Sequence, residues 1–138
     1  MGSGTVIVLD THVLIWLDQD DLALGPVARQ HLTSALQAKT LTASAISFWE
    51  VAMLVAKGRI TIEVPLATWR TDLLTLGLME IPVDGEIGIT AVQLEHLHGD
   101  PADRLIMATA LSREALLITA DRKLLEWPGQ LERHDARL

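Results

Sequence analysis

At 138 residues, 49% of them hydrophobic, the chain has the size of one ordinary domain and enough apolar material for a real core. Eighteen acidic residues against eleven basic give a net charge of −7, which argues against a basic nucleic-acid-binding face, and the lack of cysteine removes disulfides, thiolate metal sites and a thiol nucleophile. No segment is apolar for long enough to span a membrane and the first residues lack a signal-peptide pattern, so a soluble cytoplasmic protein without a membrane partner is expected.

A single domain is expected over residues 1–138, with Met1-Gly2-Ser3-Gly4 set aside as an expression scar or flexible tip. Val6-Ile7-Val8-Leu9 is an unalternated β-favouring run, the pattern of a central parallel strand buried on both faces, and it ends on Asp10. Thr11 to Leu17 then has helical spacing. Gly25-Pro26 starts a second helix, with proline in its first turn, reaching toward Lys39. Residues 40–43 are a weak strand candidate. Ser44 to Glu50 leads into an apolar helix ending near Lys57, with Gly58 in the stopping position.

Pro65 opens a fourth helix with Leu66, Trp69, Leu73 and Leu76 on one stripe. Met79 to Val83 is a short strand in which Pro82 marks a sheet edge or a strand end. Ile87 to Leu97 repeats the helical period, and Pro101 begins another helix that runs to about Glu114. Leu116-Leu117-Ile118-Thr119 is a second buried strand, followed by a helical turn over residues 122–126. The alternation predicts an α/β fold in three layers, a central parallel sheet with helices on both faces.

Four acids fall at or near strand-to-helix junctions: Asp10, Glu50, Asp103 and Asp121. Each has a local explanation as a helix cap. Ser47-x-x-Glu50 has the form of a capping box, and Asp100-Pro101-Ala102-Asp103 fits a capped helix start. Taken together they fit another reading. If the first and fourth strands are neighbours, all four converge at the carboxyl end of the sheet, where open α/β folds gather their chemistry. Clustered carboxylates repel one another and would hold protons or bind cations, and oxygen ligands without sulfur suit Mg²⁺ or Mn²⁺. Two such ions about 4 Å apart can stabilise both the attacking and the leaving oxygen of a phosphodiester displacement.

Four blocks carry a resemblance: Leu9-Asp10-Thr11-His12-Val13-Leu14-Ile15-Trp16; Ser47-Phe48-Trp49-Glu50-Val51-Ala52 with Gly58-Arg59-Ile60; His98-Gly99-Asp100-Pro101-Ala102-Asp103-Arg104; and Thr119-Ala120-Asp121-Arg122. In order and spacing, from residue 6 to about 127, they resemble PIN-domain toxins of the VapC type. The resemblance implies a PIN-like fold and a Mg²⁺- or Mn²⁺-dependent endoribonuclease in which a metal-activated water attacks the phosphodiester of RNA. It also implies neutralisation by a cognate VapB-type antitoxin whose tail covers the groove beside the acids, and a homodimer. Carried over to this chain, Asp10, Glu50, Asp103 and Asp121 are the metal-binding catalytic acids. Thr11, Ser47 and Thr119 support them, and Arg104 either orients Asp103 or meets a phosphate. Related sequences often carry lysine where this chain has Leu54, which leaves RNA contacts to Arg59 or another base.

His98 is expected in a loop bonded near the Asp100 turn, and His12 either meets RNA or is partly buried for structure. Trp16, Trp49 and Trp69 lie in apolar helical stripes and are expected to pack in the core or on a partner surface, whereas Trp127 does not. Met53-Leu54-Val55 and the fourth helix's stripe point to an apolar groove for another chain. Two rival readings are a phosphoryl-accepting signalling domain, against which stands the single acid at the first strand end, and a catalytically weak PIN-like interaction domain whose acids only cap helices.

Overall fold

The computed structural model describes residues 5–138, so the reading of residues 1–4 lies outside the described residues. The expected first strand is present as β1 (Ile7–Leu9), buried along its whole length. It pairs in parallel on one side with β2 (Leu41–Ser44) and on the other with β4 (Leu116–Thr119), Ile7 lying opposite both Leu41 and Leu116. β3 (Met79–Ile81) extends the sheet beyond β2, and β5 (Arg133–Asp135) extends it beyond β4, so the all-parallel order is β3-β2-β1-β4-β5.

Alternation along the strands divides the core in two, as a pleated strand buried on both faces requires. Ile7 and Leu9 of β1 and Ile118 of β4 face a cluster built with α1 (Thr11–Gln19), α2 (Pro26–Ala38), α3 (Ala45–Ala56) and α4 (Leu66–Leu76), including Leu14, Leu32, Val51 and Trp69. Val8 and Leu117 face the other side, where α5 (Gly85–Gln93), α6 (Pro101–Ser112) and the short α7 (Arg122–Leu125) supply Ile87, Ile106, Met107 and Leu124. The result is the expected three-layer α/β architecture.

Differences from expectation have local causes. α3 begins at Ala45 because Ser44 caps it, its Oγ accepting from Ile46 N at 3.2 Å; Ser47 is therefore a buried residue inside the helix and the capping-box reading of Ser47 and Glu50 is wrong. β3 stops at Ile81 because Pro82 has no N–H for the ladder. α5 ends at Gln93 rather than Leu97, since Leu94 is extended and the Arg104 guanidinium takes the carbonyls of Ala91, Val92 and Leu94. β5 consists of Arg133, His134 and Asp135 and has no apolar run to announce it. Of the two alternatives for Trp49, core or partner surface, the core one fails, and Trp127 packs although no helical stripe carries it. Trp49 is 54% exposed, whereas Trp127 is buried and its Nε1 donates to Glu95 O at 2.8 Å.

The segment after β5 is pinned to the start of α2. Gly25 N donates to Ala136 O at 2.8 Å and Val27 N to Leu138 O at 2.9 Å. A side chain at Gly25 would come within 2.3 Å of the Leu138 carbonyl carbon, so only glycine permits this approach.

Candidate metal centre

The carboxyl ends of β1 and β4 and the helices that start there frame one cavity of about 350 Å³, lined by Asp10, His12, Trp16, Glu50, Asp100, Asp103, Ala120, Asp121 and Arg137. All four expected acids are among them. A hollow of about 560 Å³ between α6 and β5 has only Glu114 and Glu132 as carboxylates and offers no comparable cluster.

Asp10 leaves β1 with extended backbone and caps α1, its Oδ1 accepting from Thr11 N at 2.8 Å. Its Oδ2 accepts from Thr119 Oγ1 at 2.6 Å, across the β1/β4 pairing, and the same Thr119 oxygen accepts from Asp121 N at 3.0 Å. One hydroxyl thus sets two of the acids. Asp121 caps α7 through Lys123 N at 2.8 Å. The Thr11 hydroxyl is shared between Ser47 Oγ, 2.9 Å away, and Glu50 Oε1, which ties the start of α1 to the middle of α3. Thr11, Ser47 and Thr119 therefore stand where supporting residues are expected.

Asp103 lies in the first turn of α6, where its N–H donates to Asp100 Oδ1 at 3.1 Å while its own Oδ2 meets His98 Nε2 at 2.8 Å. Burial is the largest influence on its carboxyl, the His98 contact opposes it, and Asp10, Asp100 and Asp121 add to it; the outcome is a pKa pushed up to about 7. Burial also raises Asp10 against the bonds from Thr119 and Thr11, and raises Glu50 against the Thr11 hydroxyl, with Asp10 and Asp100 adding like-charge repulsion. The chain alone therefore leaves these carboxylates short of positive charge.

A cation would supply it. Ligand atoms of His98, Asp103 and Asp121 lie within 4.8 Å of one another, as do those of Glu50, Asp100 and Asp103, so Asp103 belongs to both groups. Asp10 is outside these two groups but lines the same cavity. Carboxylate oxygens with a single imidazole form a hard donor set that fits a divalent cation of the Mg²⁺ or Mn²⁺ kind.

Arg104 does not stand where it was expected. Its guanidinium donates to the carbonyls of Ala91, Val92, Leu94, Leu97 and His98 at 2.6–3.1 Å, so it fastens the loop before α6 and its N–H donors are committed there rather than to the Asp103 carboxylate or a phosphate. His12 is exposed, which removes the partly buried reading. Three lining or ligand-bearing residues escaped the sequence reading of the acids: His98, Asp100 and Arg137. His98 lies near the turn as expected, and its contact with Asp103 makes it a ligand candidate; Asp100 is genuinely the cap of α6, which accounts for it locally without any site. Arg137 follows β5, the element without a sequence signal.

A second groove shares His12, Glu50 and Asp100 with this cavity and continues past Trp49, Met53, Leu54, Lys57 and Arg59. Of the residues expected to form an apolar groove, Met53 and Leu54 line it, whereas Val55 and the α4 residues Leu66, Trp69 and Leu73 pack in or against the core; the groove also places two bases beside Leu54.

Comparison with known proteins agrees with this architecture. A family model described as PIN domain matches residues 7–129. Ribonuclease VapC22 of Mycobacterium tuberculosis is 35% identical over 121 residues, spanning 87% of this chain and 90% of the relative. Among solved structures, VapBC2 from Rickettsia felis, bound to a DNA fragment from its promoter, superposes with a TM-score of 0.69 at 18% identity, covering 94% of this chain and 98% of the other. A toxin–antitoxin complex from Klebsiella pneumoniae gives a TM-score of 0.61 at 21% identity, covering 94% and 97%.

Proposed function

The chain belongs to the PIN-domain family, and from that premise we propose that it is a divalent-metal-dependent endoribonuclease of the VapC toxin type, acting at the cavity around Asp10 and neutralised by a VapB-type antitoxin. The observation that carries this reading is the convergence of Asp10, Glu50, Asp103 and Asp121 on one cavity together with Asp100 and His98 beside it. Mg²⁺ or Mn²⁺ is the ion this donor set favours, and a bound ion there would supply the Lewis acidity that activates water and the positive charge that accepts a phosphate.

The chain's own residues prepare that site. Thr119 and the Thr11 amide fix both oxygens of Asp10, so its carboxylate is oriented before any ion arrives. The Thr11 hydroxyl holds Glu50 on the opposite wall, and His98 holds one oxygen of Asp103. Such fixed ligands lose little freedom on binding, the usual service of supporting hydrogen bonds around a metal.

The interaction-domain reading has a real observation behind it, since Asp10, Asp100 and Asp121 do cap helices. Capping does not account for Glu50 or Asp103. Neither accepts a backbone N–H among the described residues; each instead takes a side-chain donor at the cavity wall. For the partner, the groove along α3 beside the acids favours an antitoxin segment as occupant. A homodimer is supported by Ile89 and Val92, 62% and 79% exposed at i, i+3 spacing on α5, which leave an apolar face to be covered.

The test is cleavage of a mixed RNA pool by the purified chain with Mn²⁺, with EDTA, and as Asp10→Asn. The proposal expects cutting only by the unmodified chain with metal, and an Asp10→Asn protein that keeps a cooperative melt. Cutting by a clean, folded Asp10→Asn preparation contradicts the assignment.

A further inference from the structure

Among the residues lining the acidic cavity, Arg137 is the only lysine or arginine. We propose that Arg137 is a phosphate-binding residue of the site, gripping a phosphodiester of the RNA strand as it crosses the acids; this rests on the nuclease reading above. Its Nη1 donates at 2.7 Å to the carbonyl of Ala120, the residue before Asp121 and itself part of the cavity lining, while among the described residues Nε and Nη2 donate to no protein atom. The same Nη1 is 3.8 Å from Asp135 Oδ1, and the Arg137 side chain is 57% exposed, so that ion pair is a weak competitor for the charge. A fixed fork with two idle donor nitrogens at the mouth of a cavity is the arrangement that takes a phosphate.

The backbone that delivers this side chain is unusually well held. Ala136 N donates to Thr119 O at 2.9 Å, Arg137 N to Asp135 Oδ1 at 2.9 Å and Leu138 N to Asp135 O at 3.0 Å, while Gly25 and Val27 bind the carbonyls on either side. Thr119 therefore orients Asp10 through its side chain and places Arg137 through its carbonyl. The sheet order sets Arg137, after β5, on one side of Asp10, and Glu50, after β2, on the other. Lys57 and Arg59 lie in the groove beyond Glu50, so cations flank the acids at both ends, as a polyanion crossing a cavity in a chain of net charge −7 requires.

The test measures kcat and KM on a single-stranded RNA, with melting temperature against Mn²⁺ in parallel, for the unmodified chain, Arg137→Gln and Arg137→Lys. Arg137→Gln is expected to lose about 10- to 100-fold in kcat/KM, chiefly through KM, the size expected for charge-assisted hydrogen bonds. Its Mn²⁺ stabilisation should persist or begin at lower Mn²⁺, because a positive charge beside the acids is gone. Arg137→Lys should recover part of the loss. Cleavage by Arg137→Gln equal to that of the unmodified chain overturns the proposal. So does a joint fall in melting temperature and in Mn²⁺ stabilisation for both variants, which makes Arg137 structural. An unmodified chain that cuts no RNA overturns the nuclease reading and this inference with it.

Discussion

Asp103 is contested between two physical effects. Its place in the first turn of α6 favours the ionised form through the helix dipole, yet burial and three neighbouring acids prevail and push its pKa to about 7. A carboxyl raised in the folded state binds its proton more tightly there than in the unfolded chain. Its contribution to stability is therefore complete below about pH 4 and disappears as pH rises through about 7. Asp10 and Glu50 shift in the same direction and act with the same sign. In EDTA, the melting temperature should fall between pH 5.5 and 8, and less steeply in Asp103→Asn; equal slopes in the two proteins would refute this account. With Mn²⁺ present the trend should weaken or reverse, since protons compete with the ion for the same oxygens. At this scale the sequence named the four acids and their hydroxyl partners. It misread Ser47 as a cap as well as a supporting residue, because a cap and a packed helix residue can share one local spacing, and it misplaced Arg104 because the carbonyls that hold its guanidinium meet it only in the folded chain.

Elements with a strong period were legible, and those that depend on tertiary partners were not. β1 and β4 are unalternated apolar runs, and α2 and α6 carry proline in their first turn, so each begins near its expected residue. β5 exists because Leu117 N and Ala136 N bond across to Glu132 O and Thr119 O, partners that no window of sequence displays. The end of α5 is set from a distance too, by Arg104 of α6 occupying carbonyls that a longer helix would use internally. Arg104→Ala leaves five carbonyls to find other partners and should destabilise the fold by about 2–4 kcal/mol in urea unfolding at unchanged m. Its Mn²⁺ stabilisation should remain. Unchanged stability with lost cleavage would return Arg104 to the phosphate role that its geometry denies it.

For the whole molecule, the strand order decides function. With β1 between β2 and β4, the buried carboxyl ends of β1 and β4 release Asp10 and Asp121 side by side, and the crossover helices deliver Glu50 and Asp103 to the same end. That convergence was legible only on the condition that the first and fourth strands pair, which they do. It concentrates negative charge in a molecule that already carries −7, and the resulting deficit is what a divalent ion would relieve. The most direct measurement is the melting temperature of the unmodified chain as Mn²⁺ is raised, against KCl at matched ionic strength, with Asp103→Asn beside it. A metal centre gives a rise that follows mass action, about 2.7 kcal/mol at one hundred times Kd, and that weakens in Asp103→Asn. Coinciding Mn²⁺ and KCl curves would mean that the acids cap helices and hold no metal, and would contradict the account.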